Sequence, residues 1–390
     1  MGSILFIIDR MEGGGAERQL LKVAKLASKN NNLKIFCLHK PDASLVAEAL
    51  KIRAEIIPCY SAPNSVFRFF YYIFFVFYIF FYKRKNNFSK CISFLEVSNF
   101  INVLSSLPIK NGLVLVNVRN YLSEQYASSK LKFAIAKRAL KWAYNLADRV
   151  VCNSTAIRFD LIKVFKIKKG NVEVIYNVYD FDDLLEQSKK EIPSLPSVGT
   201  GKTFLFCGRL APQKGIKSIL LTFLKHLEID ESNSQDHLIV MGSGYLESEL
   251  KNIASGNRNI HFLGHVNNPY PYFFLADRFI LNSDFEGFPN VLTESILVGC
   301  YPLSTDCKSG PREILSNFKL MDYNAPLPEV LDLELGTLYK AKLASNSVNK
   351  SLLSSMALKK SLDKNSIESF KFNLKRLGEE KWNELLSIKI

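Results

Sequence analysis

Twice along this chain, short runs of continuously apolar residues alternate with stretches of helical periodicity, and no other feature limits the possible folds so strongly. In the first half ILFIID (4–9), LKIFCLHK (33–40), AEIIPC (54–59), KCISFLE (90–96), LVLVNVRN (113–120), RVVCNS (149–154) and VEVIYNV (172–178) read as buried strands. Runs without polar alternation belong to strands covered on both faces, so the pattern predicts a doubly wound parallel α/β sheet. The pattern restarts with TFLFCGRL (203–210), HLIVMGSG (237–244), NIHFLGHV (259–266) and ADRFILNSD (276–284). Between the halves, KKEIPSLPSVGTGK (189–202) has two prolines, two glycines and no apolar period, as a linker does. The expectation is two Rossmann-like domains, 1–188 and 203–374, followed by a helical tail from about 375 to 390.

Candidate chemistry lies where strand-like runs end, because ligands of parallel sheets bind at the carboxyl ends of strands. The segment FEGFPNVLTE (285–294) places Glu286 and Glu294 eight positions apart, with Gly287, Phe288, Pro289, Asn290 and Val291 between them. It reads as strand, tight loop, helix, so both carboxylates can serve one pocket. After the first strand, Gly13, Gly14 and Gly15 open a helix, an arrangement that brings backbone amides close to a phosphate. This loop lacks the G-x-G-x-x-G spacing, so no nicotinamide cofactor is expected. Arg209 and Lys214, five residues apart, can converge on one diphosphate as a forked donor and a compact charge. Gly242 and Gly244 mark a tight turn where a nucleotide base can approach the backbone. His261 and His265 have helical spacing but lie in a strand-like run, so no metal site is expected.

Four ordered stretches, MEGGGAER (11–18), CGRLAPQKG (207–215), FEGFPNVLTE and CKSGPREIL (307–315), resemble those of the retaining glycosyltransferases of family 4. The resemblance implies the GT-B architecture: two Rossmann-like domains facing across a cleft, with the last helix crossing back onto the first. It implies transfer of a hexose or N-acetylhexosamine, with retention, from a nucleotide-diphosphate donor, UDP foremost, to a lipid-linked or oligosaccharide acceptor of a bacterial surface glycan. By resemblance Arg209 and Lys214 stabilise the leaving diphosphate, Glu286 orients the sugar and Glu294 holds the ribose. No metal or other cofactor is implied. Arg119, with Asn120, stands where many relatives carry a histidine that touches the donor sugar. Asn177 matches a family Asn-Gly turn whose glycine is here Val178, which gives it a structural role first. A nucleotide-sugar epimerase of the same fold and a basic nucleic-acid-binding protein are the competing readings.

The formal charge of +14 asks for an anionic partner, and the basic residues form no nucleic-acid recognition motif. Seven scattered cysteines without C-x-x-C read as buried thiols of a reducing cytoplasm. The N-terminus has neither a basic leader nor a long apolar stretch, and Phe6 stands where a myristoylation motif wants Ser or Thr, so a cytoplasmic location is expected. The run from Phe67 to Tyr82 has 12 aromatics in 16 residues and is followed by Lys83, Arg84 and Lys85. It is too short to span a bilayer, for which ~20 residues are needed. Aromatic rings with a basic flank suit an interface, so docking on the anionic inner face of the cell membrane through 67–85 is expected. The stretch 130–169, with 11 basic and 2 acidic residues, adds to that attraction.

Overall fold

A computed structural model describes residues 2–57, 68–107, 112–127, 129–192, 201–319, 323, 325–340 and 347–388. The chain forms two compact units, 1–179 with 374–390, and 180–373. The first is built on seven parallel strands in the order β3-β2-β1-β4-β5-β6-β7. They are β1 Gly2–Ile8, β2 Asn31–Cys37, β3 Ala54–Ile57, β4 Lys90–Phe94, β5 Leu113–Val118, β6 Arg149–Cys152 and β7 Val172–Val174. Ile4 to Ile8 are fully buried, as a central strand covered on both faces requires. The order reverses between β1 and β4, the switch point where parallel sheets open a crevice.

The second unit repeats the plan with β8 Thr203–Cys207, β9 His237–Met241, β10 Ile260–Gly264, β11 Arg278–Leu281, β12 Tyr301–Thr305, β13 Val330–Leu333 and β14 Gly336–Tyr339. Its order is β10-β9-β8-β11-β12-β14-β13, with the reversal between β8 and β11. One departure from the parallel expectation is β13, which pairs antiparallel with β14 as an edge hairpin. The two-residue connection at 334–335 is too short for the helical crossover that a parallel neighbour needs.

The division between units falls at 179/180, ahead of the boundary expected at 188. Helix Phe181–Ser188 packs against helices Tyr270–Leu275 and Asn290–Leu297 of the second unit, with Leu184 buried. Of the expected linker, 193–200 lie outside the described residues. The tail joins the first unit: Trp382 is buried against Phe94, and Lys90 Nζ donates to the Ile388 carbonyl at 2.7 Å. A π-helical turn, Lys375–Glu380, precedes it, and there Gly378 runs so close to the chain that a Cβ would lie 2.8 Å from the Asn177 carbonyl. Cys37, Cys91, Cys152, Cys300 and Cys307 are buried thiols and Cys207 is half-buried, while Cys59 lies outside the described residues.

The aromatic run forms helix Arg68–Asn86, with Phe67 outside the described residues. One face enters the core through Phe75 and Ile79. The opposite face leaves Phe70, Phe74, Phe77 and Phe81 about two-thirds exposed, at the spacing of a single stripe. Among the described residues no helix is long and apolar enough to cross a membrane. Lys83 fixes the helix in place: its buried ammonium shares its three donors among four oxygens at 2.8 Å, the Asn102 carbonyl, Asn102 Oδ1, Ser105 Oγ and Ser106 Oγ, at the carboxyl end of helix Glu96–Leu104. Cations are favoured there by the helix dipole. Burial nevertheless pulls the Lys83 pKa down from 10.5 to about 8.

Between those pH values the unfolded chain binds more protons than the folded one, so the folded state gains stability as pH rises from about 8 toward 10.5. Lys83→Met should lower stability at neutral pH by about 1.5–3 kcal/mol, the loss of hydrogen bonds from a charged donor. It should also remove the gain above pH 8. Melting curves of both proteins across that range test it, and parallel pH dependence in the two would refute the assignment.

Candidate functional site

In the second unit, four loops meet at the carboxyl edge of the sheet. The loop after β8 carries Arg209, which is exposed, and Lys214, which ends a 3-10 turn at Pro212–Lys214. Gly215 then takes a left-handed φ of 59° and leads into helix Ile216–Ile229. A Cβ on Gly215 would lie 2.2 Å from the Asn282 carbonyl, so glycine is required for the loops after β8 and β11 to touch. Asn282 Nδ2 donates to the Gly215 carbonyl at 2.9 Å, Asp284 N to the Gln213 carbonyl at 2.9 Å, and Gln213 Nε2 to the Phe285 carbonyl at 2.9 Å.

These backbone links hold Lys214 against Glu286. The ammonium lies 2.5 Å from Glu286 Oε1, and Ser283 Oγ donates to the same oxygen at 2.6 Å. The side chains are only 17% and 11% exposed, so the pair is shielded and its loss costs more than that of a surface ion pair. Behind it the loop after β12 adds a further brace. Ser309 Oγ donates to the Gly287 carbonyl at 2.5 Å, and Phe285 pairs with Lys308 as an isolated parallel bridge. That loop is fixed by the Arg312 guanidinium, which grips both oxygens of Asp306 at 2.6 and 2.7 Å.

Glu294 lies one turn into helix Asn290–Leu297 and is buried, with Tyr270 Oη 3.5 Å from its Oε1. Gly287, Phe288 and Pro289 are buried in the loop between the two glutamates, Phe288 stacking on Phe318, while Asn290 and Val291 at the helix start are half-buried. Gly242 and Gly244 have a cause within the protein itself. A Cβ on Gly242 would lie 1.9 Å from the Gly208 carbonyl, and one on Gly244 2.4 Å from that of Leu210. The strand-end loops after β8 and β9 therefore touch backbone to backbone, and Leu210 N donates to the Ser243 carbonyl at 2.9 Å.

The other expected residues lie in the first unit. Gly14 and Gly15 begin helix Gly15–Ala27, but the loop amides of Glu12 and Gly14 already donate to Glu17 Oε2 at 2.5 and 2.8 Å. An anion at these two amides must displace that carboxylate. Arg119 is buried, donates to Asn177 Oδ1 at 2.6 Å and sits over the Phe94 ring. Burial pulls its pKa down to about 10, and the contact gives Asn177 the structural role expected for it. Gln213, Asn282, Ser283, Ser309 and Glu17 were not singled out from sequence. Polar residues directly after strands in APQKG and LNSD, and a Glu three positions after Gly14, are the signals that mark four of them. His261 pairs with His237 at 3.0 Å, and no cluster of three metal-ligating side chains occurs among the described residues.

Two family models match: glycosyl transferases group 1 over residues 187–326, and glycosyltransferase family 4 over residues 13–183. An uncharacterized glycosyltransferase of Methanocaldococcus jannaschii is 30% identical over 53% of this chain and 51% of its own length. From Campylobacter jejuni, N-acetylgalactosamine-N,N'-diacetylbacillosaminyl-diphospho-undecaprenol 4-alpha-N-acetylgalactosaminyltransferase is 28% identical over 57% of this chain and 59% of its own. The chain thus spans a little over half the length of these two relatives. A second C. jejuni alpha-1,4-N-acetyl-D-galactosaminyltransferase, acting on a diNAcBac-PP-undecaprenol glycan, is 25% identical over 99% of both chains. Among solved structures, HepE of Anabaena in complex with UDP-glucose superimposes with a TM-score of 0.73, at 16% identity over 99% of this chain and 98% of that one. WaaG, a glycosyltransferase involved in lipopolysaccharide biosynthesis, superimposes with a TM-score of 0.64 at 13% identity, over 98% of this chain and 99% of that one. The structural likenesses show the fold.

Gly215→Ala should separate the loops that bring Lys214 to Glu286. A strained φ together with a 2.2 Å clash against backbone is expected to cost about 1–3 kcal/mol. Thermal denaturation would register the loss, and an unchanged melting midpoint would show that the loops do not depend on this contact.

Proposed function

This chain belongs to the group 1 and family 4 glycosyltransferases and has the GT-B fold, and from that membership we propose that it moves a hexose or N-acetylhexosamine, with retention, from a UDP-linked donor to a lipid-linked or oligosaccharide acceptor. The observation that carries the reading is the shielded contact between Lys214 and Glu286. An ammonium has three donors, so Lys214 can hold Glu286 and a phosphoryl oxygen together. Arg209, exposed on the same loop after β8, is suited to meet the same diphosphate and stabilise the charge that grows on it as the sugar leaves. Glu286, oriented by Lys214 and Ser283, then accepts hydrogen bonds from sugar hydroxyls and aligns C1. A carboxylate so engaged is a weakened nucleophile, which favours attack by the acceptor on the leaving-group face. Glu294, one turn into helix Asn290–Leu297, is assigned the ribose. The names of the C. jejuni relatives and of HepE support a UDP-sugar and a polyprenyl-diphosphate glycan as the substrates.

The acceptor's lipid places the enzyme on a membrane in this reading. The phenylalanine stripe of helix Arg68–Asn86 is its contact, with Arg84 and Lys85 flanking it. Helix Lys130–Leu146 leaves Leu131, Ile135 and Trp142 exposed among lysines, and both helices pack on helix Glu96–Leu104. Apolar side chains interleaved with basic ones are the chemistry of an anionic lipid surface.

Turnover with UDP affinity, product stereochemistry and liposome binding test these assignments. With nucleotide sugars and a membrane lipid extract as acceptor, Glu286→Gln should lower turnover while sparing UDP affinity, whereas Arg209→Ala should damage both. A loss of ~3 kcal/mol of transition-state stabilisation corresponds to about a hundredfold in rate. The product should keep the donor's anomeric configuration. Near-normal turnover by Glu286→Gln, or an inverted anomeric coupling, would count against the mechanism. Separately, replacing Phe70, Phe74, Phe77 and Phe81 by Ser should release the protein from anionic liposomes without unfolding it, because all four side chains are exposed. Liposome binding that survives the change would remove this helix from the membrane.

A further inference from the structure

Helix Pro311–Leu315, in the loop region after β12, ends in a Schellman closure: Asn317 N donates to the Ile314 carbonyl at 3.0 Å and Phe318 N to that of Glu313 at 2.7 Å. Such an ending needs one left-handed residue. Asn317, with a φ of 55°, supplies it at little cost, since asparagine visits that region readily. The next residue is left-handed as well. Phe318 has a φ of 62°, which strains a residue with a bulky side chain and which the helix end does not require.

Strain of this kind persists only where surrounding contacts over-determine it. Here helix Lys364–Leu374 and the edge hairpin supply those contacts. Asn317 Nδ2 donates to Ser369 Oγ at 3.0 Å and to Glu334 Oε1 at 2.8 Å, while Asn317 Oδ1 accepts from Asn373 Nδ2 at 2.9 Å. The ring of Phe318 stacks on two others. Its centroid is 5.5 Å from that of the fully buried Phe370, with 12° between the planes, and 6.4 Å from that of Phe288, with 5° between them. Both separations are those of offset aromatic stacks.

Phe288 lies between the two glutamates of FEGFPNVLTE, two residues after Glu286. The residues on either side of it are braced by the loop after β12: Ser309 Oγ holds the Gly287 carbonyl, and Gly310 runs so close that a Cβ would lie 2.5 Å from Pro289 Cδ. The ring of Phe288 is supported by Phe318. We propose that Phe318 is a positioning residue for sugar transfer: its ring holds Phe288 and, through the adjoining backbone, sets the Glu286 carboxylate against the donor sugar. The assignment rests on the glycosyltransferase reading and refines it at the same site. The helix end would be complete without the strain at Phe318, whereas the strained backbone is what carries its ring to Phe288.

Three variants of the full chain separate positioning from packing. Phe318→Ala removes the ring, Phe318→Leu keeps apolar bulk without a flat face, and Phe318→Tyr keeps the face. Turnover is measured with UDP-glucose or UDP-N-acetylgalactosamine and a membrane lipid extract, well below each variant's melting midpoint. It should fall about ten- to a hundredfold in the alanine variant, as a displaced catalytic group predicts, fall less in the leucine variant and return in the tyrosine variant. UDP affinity by calorimetry should stay unchanged in all three. Hydrogen–deuterium exchange of segment 285–290 should rise with alanine and not with tyrosine. Wild-type turnover and exchange in the folded alanine variant would overturn the proposal, because a packing role alone moves only the melting midpoint. The leucine variant carries the same test if the alanine variant does not fold. If the wild-type protein turns over neither donor, the glycosyltransferase reading fails on its donors. Exchange at 285–290 then decides by itself whether Phe318 holds the loop, and unchanged exchange overturns it.

Discussion

Parallel strands all end at the same edge of their sheet, and the chemistry of this protein depends on that constraint. Residues far apart in sequence are brought together because each terminates a strand: Lys214 lies seven positions past β8, and Glu286 five past β11. Because β8 and β11 are neighbours at the point where strand order reverses, the two loops meet without any intervening element. The backbone contacts of Gln213, Gly215, Asn282 and Asp284 then set the register of one loop on the other. The ion pair is the outcome of that register rather than its cause.

Much of this was legible in the sequence, for a physical reason. Buried parallel strands need unbroken apolar runs, so both sheets were announced, and loops at strand ends are the natural place for polar residues. Arg209, Lys214, Glu286 and Glu294 could be singled out because their segments resemble those of a known family. What the sequence did not disclose depends on contacts between distant segments. The unit boundary moved to 179/180 because helix Phe181–Ser188 buries Leu184 among second-unit helices, a preference that no local pattern reveals. The antiparallel edge hairpin follows from a short connection inside a stretch whose strands were not recognised.

Several of the expected site residues also have partners within the protein itself. At Gly242 and Gly244, carbonyls of the protein's own chain fill the space that side chains would take. The glycine-rich loop after β1 likewise looks ready for phosphate, yet Glu17 holds two of its amides. Arg119 donates to Asn177.

The return of residues 374–390 to the first unit bears on the order in which the protein is built. Trp382, Leu385 and Leu386 belong to the same apolar cluster as Ile4, Phe6 and Ile92, yet they are synthesised only after the whole second unit. While the ribosome makes the second unit, the sheet of the first has all seven strands but lacks the helix that covers part of β1 and β4. A nascent chain of this protein therefore carries an uncovered apolar surface for roughly the time needed to add 190 residues, on the order of 10–40 s at bacterial elongation rates. The second unit, continuous in sequence, can close by itself during that interval. The half translated first is the half completed last.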